Sequence, residues 1–295
     1  MNQEVSNSKK ASRGISPMQM AMRRLMRNRL AGVALLIIGC FVFMAVAADR
    51  ISPYDPDKIN LMMRFRPPSE LNRLGTDELG RDVLSRLIYG SRASLLVGLG
   101  ATAISIVIGV ILGAASGFFG GWIDQATMRL VDIFMCFPFF LMAIVIASIM
   151  GPSIWTVVFV SGILGWPGLA RMVRAEVLSL RQREFVEAAK ALGLSSGSII
   201  FSHILPNIVS IVVVNATLGI AGGILGEAGL SYLGLGVKPP QASWGNMLSS
   251  AQSMISLQYY PWTWIPAGLM VLLAVLAINI FGDALRDALD PKQRV

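Results

Sequence analysis

The charges of this chain are clustered, and the gaps between the clusters decide what it can fold into. No Asp, Glu, Lys or Arg occurs in 30–48, 93–123, 133–170, 191–226 or 239–282. A helix needs about 20 apolar residues to cross a bilayer core roughly 30 Å thick, so each gap holds at least one crossing. Leu30 to Ala48 supplies the first span and Leu95 to Phe118 the second. The third gap is too long for one helix and is interrupted by Gly151-Pro152, which divides it into Ile133–Ile149 and Ile154–Leu169. The last two gaps give spans near Ile208–Leu225 and Trp264–Phe281. The expectation is an all-α membrane protein with six transmembrane helices. A closed β-barrel is the other way to pair backbone polar groups in lipid, but these apolar runs are continuous and do not alternate. With 54% hydrophobic and 14% charged residues, against about a quarter charged in soluble domains, a water-soluble fold is excluded.

Six spans put both termini on one side, and the Lys and Arg distribution selects that side. The face with the termini carries sixteen: seven in the 1–29 tail, including Lys9, Lys10, Arg13 and Arg29; Arg129; Arg171, Arg174, Arg181, Arg183 and Lys190; then Arg286, Lys292 and Arg294. The other face carries nine, eight of them in 49–92 among seven acids, plus Lys238. Both termini are therefore expected in the cytoplasm, with 1–29 a basic tail, 49–92 an extracytoplasmic segment and 283–295 a cytoplasmic tail. Ala45-Val46-Ala47 imitates a signal-peptide cleavage site, but 19 apolar residues exceed the usual 7–15, so the first span reads as an uncleaved anchor. Cys40 and Cys136 lie in different apolar spans and read as small core residues rather than a disulfide. A single His leaves no ligand set for a structural zinc.

The polar segment between the fourth and fifth spans, 171–207, carries the most information. Leu180 to Leu192 reads as a short amphipathic helix with Phe185, Ala188, Ala189 and Leu192 at helical spacing. Gly193 suits a left-handed C-terminal cap, and Ser195 or Ser196 a second short helix that stops before Pro206. Ala188 and Ala189 keep the surface of this knob low enough for another protein's backbone.

Glu187-Ala188-Ala189, then Gly193, then Leu205-Pro206 resembles the EAA loop of ABC-importer permeases. His203 stands where the general pattern has an apolar residue; His-x-Leu-Pro-Asn is common in the peptide-importing branch. Leu74 to Gly90 is similar to the stretch before the second span in dipeptide, oligopeptide and nickel permeases. Physically, Gly75 and Gly80 permit tight turns, Thr76 or Asp77 suits a helix cap, and Asp82–Tyr89 reads as an interfacial helix whose Arg86, with Arg92, snorkels to headgroups. Substrate binding by Asp77, Arg81 or Asp82 is the alternative, and a structural role is favoured. Arg129, Asp132 and Pro138 fit the same family's third span, with Arg129 and Asp132 spaced to pair on one helix face. Glu227 to Gly236, Pro239-Pro240, Ser243-Trp244-Gly245 and Gly282 to Pro291 match too, so only 1–29 and 49–73 are unmatched.

The resemblance implies a type I ABC-importer permease architecture, the shorter-looped of two paired subunits. The core would be 93–282, with 171–207 docking on an ATPase through Phe185, Glu187, Ala188, Ala189, Gly193, Leu205 and Pro206. It also implies the partners: a second homologous permease, two cytoplasmic ATPases, an extracytoplasmic substrate-binding protein and membrane lipid, with no nucleic acid. The chain has no G-x-x-x-x-G-K-[ST] to cradle nucleotide phosphates and no membrane-embedded run of Asp, Glu or His to relay protons. No enzymatic role or cofactor is expected on this chain, ATP being bound by the partner subunits. Di- or oligopeptides are the expected substrate, with nickel or a metal chelate the alternative inside the family and a self-sufficient secondary transporter or channel the alternative outside it. Glu227 stands alone near a span end. It reads as a residue bonded to neighbouring backbone or the partner, or as a pathway group meeting a peptide's amino terminus. The glycines 219, 222, 223 and 226 read as close helix packing.

Overall fold

The computed structural model describes residues 28–289 together with Leu25. The basic residues Lys9, Lys10, Arg13, Arg23, Arg24 and Arg27 lie outside the described residues, as do Pro291, Lys292 and Arg294. The described part is almost wholly helical, and five of its helices are long and apolar enough to cross a membrane. These are α1 (Arg29–Ile51), α2 (Val83–Phe119), α5 (Ile154–Arg181), the continuous run Ser196–Tyr232, and α11 (Ile265–Leu289). A sixth crossing is the bent pair α3 (Gly121–Cys136) and α4 (Phe139–Met150), whose axes differ by 88°.

That bend corrects the straight span expected over Ile133–Ile149. Pro138 has no N–H to donate and drives the residue before it out of the helical region; Phe137 is extended, at φ −100° and ψ 136°. Continuous apolarity hides the break, because lipid exposure asks only for apolar side chains. Cys40 and Cys136 are also corrected: both are exposed on the helix surface, not in the core.

α2 and α5 share the most extensive helix contact. A Cβ added at Gly113 would lie 2.6 Å from the Ala170 carbonyl oxygen, so only a glycine lets the two backbones approach this closely. Small residues replace the hydrophobic drive that lipid removes. The same device joins α2 to the Ser196–Tyr232 run, where a Cβ on Gly223 would stand 2.9 Å from Gly98 Cα. Gly222, by contrast, faces open space, so the glycine stretch serves packing at only part of its length. Large apolar side chains such as Leu36, Phe43, Val107 and Ile111 remain exposed along α1 and α2; so extensive an apolar surface suits a bilayer or a partner helix.

The Ser196–Tyr232 run has three parts: α7 (Ser196–Ile199), a π turn (Ile200–Ile204) and α8 (Leu205–Tyr232). Pro206 was expected to lie beyond the end of a short helix. Instead it sits in the first turn of α8, where its missing N–H has no bond to lose. The Leu205 N–H bonds back to the Ile200 carbonyl, and the helix passes through without breaking.

At the end of the bundle opposite the 171–207 loop, residues 52–82 fold as a cap over α2. The N-cap is Asp82, whose carboxylate accepts from Ser85 N at 2.8 Å, and neither Thr76 nor Asp77 holds that position. Asp77 turns the chain instead, accepting from Leu79 N and Arg81 N and pairing with Arg81 at 2.7 Å. Gly75 and Gly80 take positive φ of 75° and 71°, as tight turns require. Arg86 does not snorkel: it is buried, 3.3 Å from the carbonyl oxygens of Pro56 and Pro240 and 3.5 Å from Asp77. Arg92 reaches Asp49 at 2.9 Å, tying α2 to α1.

Candidate functional site

After α5 the chain makes a tight turn and forms α6, Glu184–Ala191. Glu184 and Glu187 lie in its first turn, favourable for the helix dipole. Its end is a Schellman motif: Leu194 N–H bonds to Ala189 O at 3.1 Å, Gly193 N–H to Lys190 O at 2.9 Å, and Gly193 has φ +75°. Val186 and Ala189, three apart, are buried against Val177, Ile199, Ile204 and Ile208. Lys190 lies over the Phe118 ring, 5.7 Å from its centroid. These contacts fix α6 on the bundle end and turn its other side outward.

Phe185, Glu187 and Ala188 are exposed on that side, followed by Leu192 and Gly193. Ala189 is not among them: it is 4% exposed and faces its own bundle, correcting the view that both alanines form the low outer surface. Leu205 is half-buried and Pro206 exposed, both at the start of α8 and not on the projecting helix. Phe185, Glu187 and Ala188 therefore form one surface, while Ala189, Gly193 and Leu205 shape its support. The His203 side chain in the π turn keeps a buried Nδ1 without a hydrogen-bond partner.

Two ion pairs brace this end. The Arg174 guanidinium grips both Asp124 oxygens, one through NH2 at 2.6 Å and one through Nε, while Ser116 Oγ donates to Asp124 at 2.8 Å. One carboxylate thus joins α2, α3 and α5. Asp132 pairs with Arg171 at 3.0 Å on α5, not with Arg129 on its own helix.

Glu227 lies near the far end of α8 and is fully buried. Ser94 Oγ on α2 donates to one oxygen at 2.9 Å, and Ser231 Oγ to the other at 2.6 Å. Both hydroxyls in turn accept loop backbone: Trp244 N–H at 3.2 Å on Ser94 and Val237 N–H at 3.0 Å on Ser231. Gly245, in the first turn of α9 (Trp244–Leu248), packs against the carboxylate: a Cβ added there would lie 2.8 Å from Glu227 Oε1. The carboxyl group is the hub that fastens the loop after α8 onto α2. Glu227 bonds to two serine side chains and reaches loop backbone only through them.

A cavity of about 540 Å³ opens between α2, α5 and α8, bordered by Phe139 of α4. Its polar lining is Thr102, Ser105, Ser161 and Asn215; Gly168 and Gly222 form open parts of its wall. Glu227 does not line it. No residue of this lining is charged.

Residues 105–295 match the family described as binding-protein-dependent transport system inner membrane component, and residues 16–68 match the N-terminal transmembrane domain of oligopeptide transport permease C. The chain belongs to the first of these families. It is a permease subunit of an ABC importer. Among its relatives, a putative peptide permease protein of Brucella suis biovar 1 is 46% identical over 276 residues, covering 94% of this chain and 91% of that protein. The oligopeptide transport system permease protein OppC of Bacillus subtilis strain 168 is 42% identical over 275 residues, covering 93% and 89%. The solved inward-facing MetNI methionine ABC transporter aligns with a TM-score of 0.57 at 18% identity, over 70% of this chain and 96% of that one, a likeness of fold. The permease thus has the type I importer fold expected of it.

In the permease, the sequence-derived loop residues gather at one end and Glu227 at the other, with the cavity between them. The cavity leaves only a faint trace in the sequence. Ser161 and Asn215 each interrupt an apolar run, and an uncharged polar residue inside a span was the one signal available.

Proposed function

We propose that this permease forms half of a translocation pathway for di- and oligopeptides and is driven by cytoplasmic ATPases that dock on α6. The observation that carries the reading is the division of α6 itself. Val186 and Ala189 fasten it to the bundle while Phe185, Glu187 and Ala188 stay exposed as a rigid surface. A helix of eight residues has little stability alone, so its packing against Val177 and Ile204 makes it a firm contact that can transmit force. The Lys and Arg majority on this side supports a cytoplasmic position for the loop and both termini. ATP would bind to the ATPase chains, since this sequence has no phosphate-cradling loop, and a second permease and an external binding protein would complete the importer. Peptides as cargo are supported by relatives named as peptide, dipeptide and oligopeptide permeases.

The test is ATP-driven peptide uptake by the complete importer in proteoliposomes. Glu187→Arg reverses a charge on the exposed face, and Gly193→Asp forces a side chain into left-handed backbone at the helix end. Each is expected to lower uptake at least about tenfold, while the purified permease keeps its gel-filtration profile. Uptake retained with either substitution in a folded protein refutes the docking assignment.

A further inference from the structure

The hydroxyl of Ser161 has no hydrogen-bond partner although the residue is only 6% exposed and lines the cavity between α2, α5 and α8. An unpaired polar group costs free energy where no water reaches it, so a buried one invites an explanation. Its neighbours around the cavity have spent their donors elsewhere. Thr102 Oγ1 donates to Gly98 O at 2.7 Å and Ser105 Oγ to Gly162 O at 2.9 Å. Asn215 Nδ2 faces Ile211 O at 2.9 Å and Met172 Sδ at 3.0 Å. What remains for a guest is a set of acceptors: hydroxyl lone pairs on Thr102 and Ser105 and the Asn215 Oδ1. Ser161 alone retains a free donor, besides its own lone pairs.

We infer that this cavity is a subsite for extended peptide main chain, with backbone N–H groups on the Thr102, Ser105 and Asn215 acceptors and a backbone carbonyl on Ser161. The inference rests on the peptide-permease reading and adds how the passage recognises its cargo. The uncharged lining has no ion-pair partner for a cargo side chain, and its open walls at Gly168 and Gly222 leave room for side chains of different size. The subsite therefore recognises what all peptides share and is indifferent to what distinguishes them. Its position suits transit: Thr102 lies near the middle of α2 and Gly219 near the middle of α8.

Gly222 provides a clean perturbation, since a Cβ there meets nothing within 4 Å. The complete importer in proteoliposomes is assayed with Ala-Ala-Ala, Ala-Lys-Ala and Ala-Glu-Ala, each rate normalised to occupancy of the binding protein. Wild type is expected to import the three at rates within about threefold. A full charge in a half-dry cavity is worth a few kcal/mol to a nearby ion, so Gly222→Asp is expected to favour the Lys peptide over the Glu peptide by about tenfold. Gly222→Arg is expected to reverse that preference. Gly168, equally open, gives the same pair of variants at a second position. Ser161→Ala is expected to slow all three peptides by one common factor of about five, the size of a single hydrogen bond.

Opposite selectivity of the two charge variants supports the subsite. Equal losses for all peptides in both variants, or unchanged rates in both, overturn it, and so does a Ser161→Ala importer at wild-type rate. If the wild-type importer moves no peptide at all, the peptide-permease reading fails. If it moves peptides while the glycine variants show no charge preference, only the subsite fails.

Discussion

Replacing Glu227 by Ala removes the acceptor for two buried donors at once. Ser94 and Ser231 each lose a bond, at 2.9 and 2.6 Å. Both hydroxyls are buried, so each must find another acceptor or stay unpaired away from water. A stranded buried donor costs about 1–3 kcal/mol, and the void left by the side chain adds to it. The expected loss is about 3 kcal/mol, which at roughly 2–4 °C per kcal/mol for a chain of this size lowers the melting midpoint by about 6–12 °C. Glu227→Gln keeps the shape and one acceptor oxygen, and its loss is expected to be less than half as large. The assay is thermal unfolding of the purified permease in one detergent, with peptide uptake by the importer measured beside it. A midpoint for Glu227→Ala within about 2 °C of wild type refutes the anchoring role. A stable Glu227→Gln importer that loses uptake of peptides with a free amino terminus, but not of amino-blocked ones, refutes it from the other side, because the carboxylate would then be meeting cargo.

Gly223→Ala places a Cβ 2.9 Å from Gly98 Cα and is expected to cost about 1–3 kcal/mol in the same unfolding assay. Gly222→Ala, one residue away and facing open space, is expected to leave the midpoint within about 1 °C; equal effects at the two positions would show that the α2–α8 crossing is wrongly described. Asp124→Asn breaks the grip of Arg174 and is expected to cost about 1–2 kcal/mol, with faster proteolysis of the loop around α6; unchanged proteolysis counts against the brace.

The long helices were legible because a bilayer writes its demand directly into composition. Charge-free gaps are required wherever the backbone crosses lipid, whatever packs beside it. Events inside an apolar run leave no such trace. Phe137 and Pro138 break a span whose hydropathy is unbroken, and Pro206 joins a helix that its identity argued should end, because a π turn at Ile200–Ile204 absorbs the mismatch. Side-chain partners were less legible still. Asp132 has Arg129 at helical spacing, yet Arg171 on the adjoining helix lies closer. At the candidate site, helical spacing put Phe185, Ala188, Ala189 and Leu192 on one face. Only tertiary packing separates buried Ala189 from exposed Ala188, since Val186 and not Phe185 marks the inward stripe. Glu227 was conspicuous as a lone acid, and Ser231 stands at helical spacing from it, but its other partner, Ser94, lies 133 residues away on α2.

The run Ser196–Tyr232 spans 37 residues with no interruption in its helical course, a beam of about 55 Å. Its lower bearing is the Ile199–Ile204 packing under α6, and its upper bearing is the Glu227 hub. A beam turns angle into travel: with the bearings about 40 Å apart, a tilt of about 10° at one sweeps the other by roughly 7 Å. Under the docking proposed for α6, a push there would reach the opposite rim through this one helix, where Glu227 holds the loop after α8. The π turn at Ile200–Ile204 sits inside the lower bearing, so any such push would enter the beam through its one stretch that is not α-helical.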